Sequence, residues 1–326
     1  MKLYKIFRRP PSFISVSTWI KKEDQTIKSG PDARLPIIVP ILEMQYGTIT
    51  EKLKMIGPLF DMFKSIMINM RKSAKSIIFN PKLGKRQITE EHLKELKNKA
   101  NELGISTIGF TKVNANHIFK DFEILYDNAI ILTMEMNKGL MAKGPGQENM
   151  NEIMRTYDGL GIAVNEIADF LREKGYNCHA SPAFGGDINT VPAAQDAGLG
   201  FVGNNGILIS PEYGPCMRLA AVFVDIENLP FPENNEHGWI ADFCNSCNKC
   251  IKKCPAQAIY KTPHYNENGG RVYIDPVKCA EPFSRGCSLC VSSCVFTGGH
   301  YDKIKRGYEM KMSKVDEIST GTEEKG

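Results

Sequence analysis

A chain of 326 residues, 42% hydrophobic and 24% charged, can bury a core for one large or two moderate domains. Its 41 basic and 37 acidic residues leave a surplus of +4, too mild to argue for a polyanionic partner, and two Trp supply no evident base-stacking platform, so no nucleic acid is implied. No apolar run reaches the length of a transmembrane segment.

Residues 1–48 mix Pro, Lys and short apolar pieces without a period and read as an N-terminal arm over the body. MKLYKIFRRPPSF lacks an apolar h-region, and Arg8-Arg9 is followed by Pro-Pro, so no export signal is expected and a reducing, cytoplasmic setting fits. Between 53 and 70, Leu59, Phe60, Phe63, Ile66, Met67 and Met70 fall at helical spacing. This is read as a core-facing helix, with a membrane-surface or partner-binding helix as the alternative. Thr89 followed by Glu90 and Glu91 caps a helix carrying Leu93, Leu96, Ala100 and Leu103 and ending at Gly104. ISTIGFTKV and the apolar run NAIILTMEM come next as strands, then a long helix bearing Ile153, Tyr157, Leu160, Val164, Ile167 and Leu171 that stops near Gly175. A short strand near NCHA, a helical piece near PAAQDAG and the strands ILIS and RLAAVFVDI complete an α/β (α+β) layered domain over 49–230. Residues 231–305 form a separate cysteine-rich unit, and 306–326 a polar C-terminal tail, unstructured from about Ser313.

The cysteine unit opens with CNSCNKCIKKCP, residues 244–255, the bacterial ferredoxin spacing. Two-residue gaps let three thiolates of one tight loop reach a single cubane while the fourth turns to a second cluster, and Pro255 ends the loop. A second group, Cys279, Cys287, Cys290 and Cys294, completes eight ligands. One 4Fe-4S cluster is assigned to Cys244, Cys247, Cys250 and Cys294, the other to Cys254, Cys279, Cys287 and Cys290. Val295 stands where a symmetric ferredoxin has its second proline, and seven residues separate Cys279 from Cys287, so this is no plain duplication. Structural zinc and disulfides are the competing readings; three cysteines in a row at two-residue gaps and a reducing compartment weigh against them. Cys178 and Cys216 lack partners at metal spacing and read as small buried residues. The one G-x-G-x-x-G match, Gly198 to Gly203, comes after a helical piece rather than a strand.

The stretch HASPAFGGDINTVPAAQDAGLGFVGNNGILISPEYGPCMRLAAVFVDI, residues 179–226, with the two cysteine groups behind it, resembles the cobalamin-dependent reductive dehalogenase and epoxyqueuosine reductase superfamily, the dehalogenases more closely. The resemblance implies a nitroreductase-like domain holding base-off cobalamin, followed by a ferredoxin-like domain with two 4Fe-4S clusters. It also implies a low-potential donor such as ferredoxin or flavodoxin and a small organic substrate. Gly198, Gly200, Gly203 and Gly206, with Asn204 and Asn205, are the expected corrin contacts, because backbone without Cβ can approach a flat ring; tight turns are the plainer reading of the same glycines. Asn204 stands where both enzyme groups carry Lys or Arg. Tyr157, by the dehalogenase pattern, and Asp187, by the epoxyqueuosine pattern, are the candidate proton donors. Both also have plainer readings, as a core Tyr and as a turn or cap residue. Arg218 could hold a cofactor carboxamide or substrate acid, and His179 lies beside the expected pocket. Three functions remain in play: a reductase of a small organic molecule, an electron carrier without its own substrate, and a tRNA-modifying reductase.

Overall fold

The computed structural model describes residues 16–20, 25–34, 46, 48, 50, 57–266 and 271–323, with the side chains of 263 and 314–323 excepted. In chain order the elements are β1 (Ile27–Lys28), α1 (Phe60–Lys75), α2 (Glu90–Glu102), β2 (Thr107–Lys112), β3 (Glu123–Ile124), β4 (Asn128–Glu135), α3 (Lys138–Ala142), α4 (Gln147–Glu173), β5 (Cys178–Ser181) and α5 (Thr190–Asp196). Next come β6 (Phe201–Val202), β7 (Leu208–Ile209), β8 (Met217–Val224), α6 (Trp239–Cys247), α7 (Lys249–Lys253), β9 (Ile259–Tyr265), β10 (Arg271–Ile274), α8 (Pro276–Phe283), α9 (Leu289–Ser292) and α10 (Tyr301–Glu323).

A four-stranded sheet of order β2-β4-β8-β5 organises the first part of the chain, and each of its ladders is antiparallel. Strand alternation sorts its side chains onto two faces. Ile130, Leu132, Ala220, Val222 and Ala180 point to one face, where Leu160, Val164, Ile167 and Leu171 of α4 and Leu96 of α2 cover them. Ile131, Ala221 and Phe223 point to the other, under Ala193 and Ala194 of α5. Coverage on both faces explains why β4 reads as an unbroken apolar run. The Thr89 cap forms as expected, its hydroxyl accepting from the His92 N–H at 3.2 Å, and Gly104 closes the turn after α2 with φ 74°.

Of the N-terminal arm, only the pieces between 16 and 34 and residues 46 and 48 are described; the remainder of 1–48 lies outside the described residues. Ile27 and Lys28 pair with Ile124 and Glu123, which lays this piece on the body. α1 packs its Ile66 and Met70 against Met150 and Met154 of α4, but Phe60 is 66% exposed and Met67 43%. The expected core stripe is therefore too wide: only Leu59, Ile66 and Met70 of it are buried, with Phe63 half-buried. Past a loop with neither helix nor strand over 225–238, α6 to α9 and the turns beside them carry the eight clustered cysteines, with the β9-β10 hairpin between the two groups. A helix runs on to residue 323 where an unstructured tail was expected. It is docked at its start by Tyr301 and Tyr308 on Trp239, and no proline interrupts it.

Candidate iron-sulfur and reducing site

The loop after α6 and the short α7 turn back on α9, so residues far apart in the chain meet. Cys244, Cys247, Cys250 and Cys294 line one partly open hollow, with Asn204 and Asn205 on its wall. Burial pushes the Cys294 thiol up to about 12, and the neighbouring Cys244, Cys250 and Cys247 push it the same way. Burial likewise raises Cys290 to about 12, with Cys279, Cys287, Cys250 and Cys254 adding to it. The sulfurs thus fall into two sets that adjoin at Cys250 and Cys290. Stacking four thiolates in a buried space is unfavourable without a cation to compensate, and iron supplies that compensation. Among the described residues no three His, Cys, Asp or Glu converge on a single-ion position.

Backbone amides serve the sulfurs. Ala258 N–H donates to Cys254 at 3.2 Å, and the backbone amides of Asn204, Ile251 and Phe296 pull the Cys244, Cys250 and Cys294 thiols down against the effect of burial. Such donors stabilise iron-bound thiolate and tune cluster potential, so the chemistry of the hollow fits an iron-sulfur cluster. Trp239, Phe243 and Phe296 pack around Cys244 and Cys294 and keep that side dry.

The glycine segment packs closely against the rest of the chain. A Cβ on Gly200, whose φ is 151°, would strike the Ile209 carbonyl; one on Gly203 would come within 2.7 Å of the Ile209 side chain and 3.5 Å of the Cys244 sulfur. Gly206 is closed by Tyr273 at 2.8 Å and Gly198 by Pro232 at 3.4 Å. On the Cβ side of these four residues the chain is thus packed against itself. Asn205 donates to the Cys290 carbonyl at 3.3 Å, and Asn204 accepts from Arg271 at 3.4 Å. The segment therefore joins the sheet body to both cysteine sets.

Tyr157 and Arg218 come together on the α4 face of the sheet. The Arg218 guanidinium lies 3.7 Å from the centre of the Tyr157 ring, held there by a bond from its Nε to Thr156 Oγ1 at 3.0 Å. Phe184 meets the same ring edge-on at 5.3 Å. Tyr157 packs on the apolar group of Met136, Ile153, Cys216 and Val291, against which Cys290 also packs, so one cysteine set borders this corner. Neither Thr156 nor Phe184 was singled out from sequence; a Thr beside the Tyr on the helix and a Phe before the Gly185-Gly186 turn were the signals present.

Asp187 and His179 do not join Tyr157. They face each other at 3.5 Å across the opposite sheet face, with His179 against Phe223 and the Asp187 N–H donating to Ser181 Oγ at 2.9 Å. Position parity along β5 decides this, since His179 and Ser181 alternate with Cys178 and Ala180. Both partners are buried, and His179 Nδ1 has no hydrogen-bond partner among the described residues. Cys178 is buried as expected, its thiol donating to the Ala168 carbonyl at 3.2 Å, and Cys216 is buried as well.

Burial lifts Asp187 from 3.8 to about 7 and depresses His179 from 6.5 to about 3. The Asp187 contribution to stability is full below its ordinary value and is lost as pH rises through about 7; the His179 contribution is full above its ordinary value and is lost as pH falls through about 3. In Asp187→Asn the loss of stability between about pH 5 and pH 8, on the order of a few kcal/mol, should shrink or vanish. Denaturant melts at the two pH values measure it, and an unchanged pH slope would show that Asp187 does not titrate in this interval.

A 4Fe-4S dicluster domain family matches residues 243–297. The tetrachloroethene reductive dehalogenase of Sulfurospirillum multivorans is 31% identical over 186 residues, which cover 53% of this chain and 36% of that protein. The epoxyqueuosine reductase of Listeria monocytogenes is 31% identical over 124 residues, covering 35% of this chain and 31% of that one. A solved reductive dehalogenase, described as suggesting a mechanism for B12-dependent dehalogenation, superimposes with a TM-score of 0.61 at 18% identity, covering 91% of this chain and 47% of the other. The chain is thus related to both enzyme groups of the expected superfamily, has a reductive dehalogenase-like fold, and spans well under two thirds of these relatives.

Proposed function

We propose that this chain is an iron-sulfur reductase in which two 4Fe-4S clusters carry electrons to the corner formed by Tyr157 and Arg218, where a small organic molecule is reduced. The observation that carries the reading is the shared packing of Cys290 and Tyr157 on the Met136, Ile153 and Val291 group, which sets one cysteine set beside a fixed acid-base and cationic pair. Cys244, Cys247, Cys250 and Cys294 hold one cluster and Cys254, Cys279, Cys287 and Cys290 the other. When bound, the clusters supply one-electron storage and transfer. Tyr157 offers a phenolic proton, and Arg218 a fixed positive charge for an anionic substrate or leaving group. A low-potential ferredoxin or flavodoxin is the donor this arrangement requires.

Cobalamin is the acceptor that the B12-dependent relative supports, and base-off binding in a nitroreductase-like layer is the form proposed for it. Ile209, Tyr273 and Cys244 close the Cβ side of the glycine segment, so this chain's own chemistry is proposed to rest on Tyr157 and Arg218. The same closure favours a second reading, an electron carrier without its own substrate. Iron, sulfide and corrinoid analysis of protein purified without oxygen separates the two. About eight irons together with a corrinoid, or with reduction of an organohalide or epoxide, supports the reductase. About eight irons, no corrinoid and no reduced substrate leaves the carrier.

A further inference from the structure

Residues 57–86 hold seven Lys or Arg and one acid, Asp61, a surplus of six where the whole chain has a surplus of four. At 100° per residue, Phe60, Lys64, Met67, Ile68, Arg71 and Lys75 fall on one stripe of α1, the side opposite Ile66 and Met70, and all six are exposed. Ile78 at 49% exposed, Phe79 at 68% and Leu83 at 94% extend the apolar surface beyond the helix. Lys72 is paired to Asp169 and Arg86 to Asp225 and Glu227, whereas among the described residues Lys64, Arg71 and Lys82 lie in no ion pair.

Lys75 sits over the Trp19 ring at 5.7 Å; exposed Phe, Met and Ile interleaved with the unpaired Lys64 and Arg71 on one helix face, with Phe79, Lys82 and Leu83 just beyond it, is the chemistry that binds an interface apolar at depth and negative at its surface. We propose that residues 60–83 form a docking face for an anionic lipid bilayer. The cations meet headgroup phosphates while Phe60, Ile68, Phe79 and Leu83 enter the acyl boundary. A second copy of this face is disfavoured because two surpluses of six would oppose each other. An RNA would use the cations and could stack on Phe60 and Phe79, but leaves Met67, Ile68, Ile78 and Leu83 without a partner. The face lies on the outer side of α1, turned away from α4 and Tyr157, so the inference stands apart from the reductase reading.

The test is co-sedimentation of the full chain with vesicles of phosphatidylcholine alone and of equal parts phosphatidylcholine and phosphatidylglycerol. Binding should favour the anionic vesicles by at least about tenfold and weaken with salt. The double variant Lys64→Glu, Arg71→Glu should lower the partition by about thirtyfold or more, and Phe79→Ser with Leu83→Ser by about tenfold. Iron content and melting temperature should be unchanged in both, because every altered side chain is exposed. Equal binding to both vesicle types, no binding, or full binding by the charge-reversed variant would overturn the proposal. So would a dimer that the Phe79 and Leu83 changes dissociate, or tighter binding to single-stranded RNA than to the anionic vesicles.

Discussion

Cys294→Ala should lose about half of the protein's iron and one of its two cluster signals. Cys294 is distant in sequence from the loop it serves, yet it lines the hollow with Cys244, Cys247 and Cys250, and those three thiols are the ones that act on its own. Removing it leaves three sulfurs and the Phe296 amide around a cluster without its fourth ligand. The folded state then loses the stabilisation that metal binding adds, which is on the order of several kcal/mol. Cys178→Ser is the matched control. That thiol is also pushed up to about 12 by burial, but no cysteine acts on it, so the iron content should stay whole. Iron and sulfide assays with electron paramagnetic resonance of the reduced proteins read the outcome. A Cys294→Ala protein that keeps all its iron would show that the crossing assignment is wrong.

The grouping of Cys244, Cys247 and Cys250 could be read locally, because two-residue gaps restrict which sulfurs can share a cubane, whereas Cys294 reaches the same hollow only through the folding of the chain. The helices and strands were legible for a similar reason. Thr89 caps α2 from the adjacent position, and the alternation in β4 and β8 fixes two sheet faces wherever those strands pair. What a periodic stripe does not reveal is how much of it finds a partner. Phe60 and Met67 share the helical spacing of Ile66 and Met70 and are still left outside, because α4 covers only one side of α1. Nor does a lone polar residue reveal its sheet face until the strand register is known. Asp187 and Tyr157 both read as candidate proton donors in the chain, and strand parity puts His179 and Ser181, the partners of one, and Arg218, the neighbour of the other, on opposite faces. Glycine carries the least information of all. Gly200 and Gly203 permit close approach, and on their Cβ side the group that approaches is the chain's own Ile209.

Tyr157→Phe should lower substrate reduction roughly a hundredfold or more while leaving both clusters reducible at the wild-type rate by a chemical donor. The ring would keep its place, because Phe184 and the Arg218 guanidinium hold its edge and its face and neither contact needs the hydroxyl. Only the proton is removed. Arg218→Lys provides the complementary test, since a lysine keeps the charge but loses the planar group that stacks at 3.7 Å and the Nε that reaches Thr156. Thr156 still donates to the Ile153 carbonyl at 2.9 Å, so the cost in stability should be about 1 kcal/mol. If Arg218 holds an anionic group of the substrate, this variant should raise KM more than it lowers kcat, and Tyr157→Phe should do the reverse. Equal behaviour of both variants, with wild-type turnover retained, would move the reducing site away from this corner. The clusters would then serve only to pass electrons between protein partners.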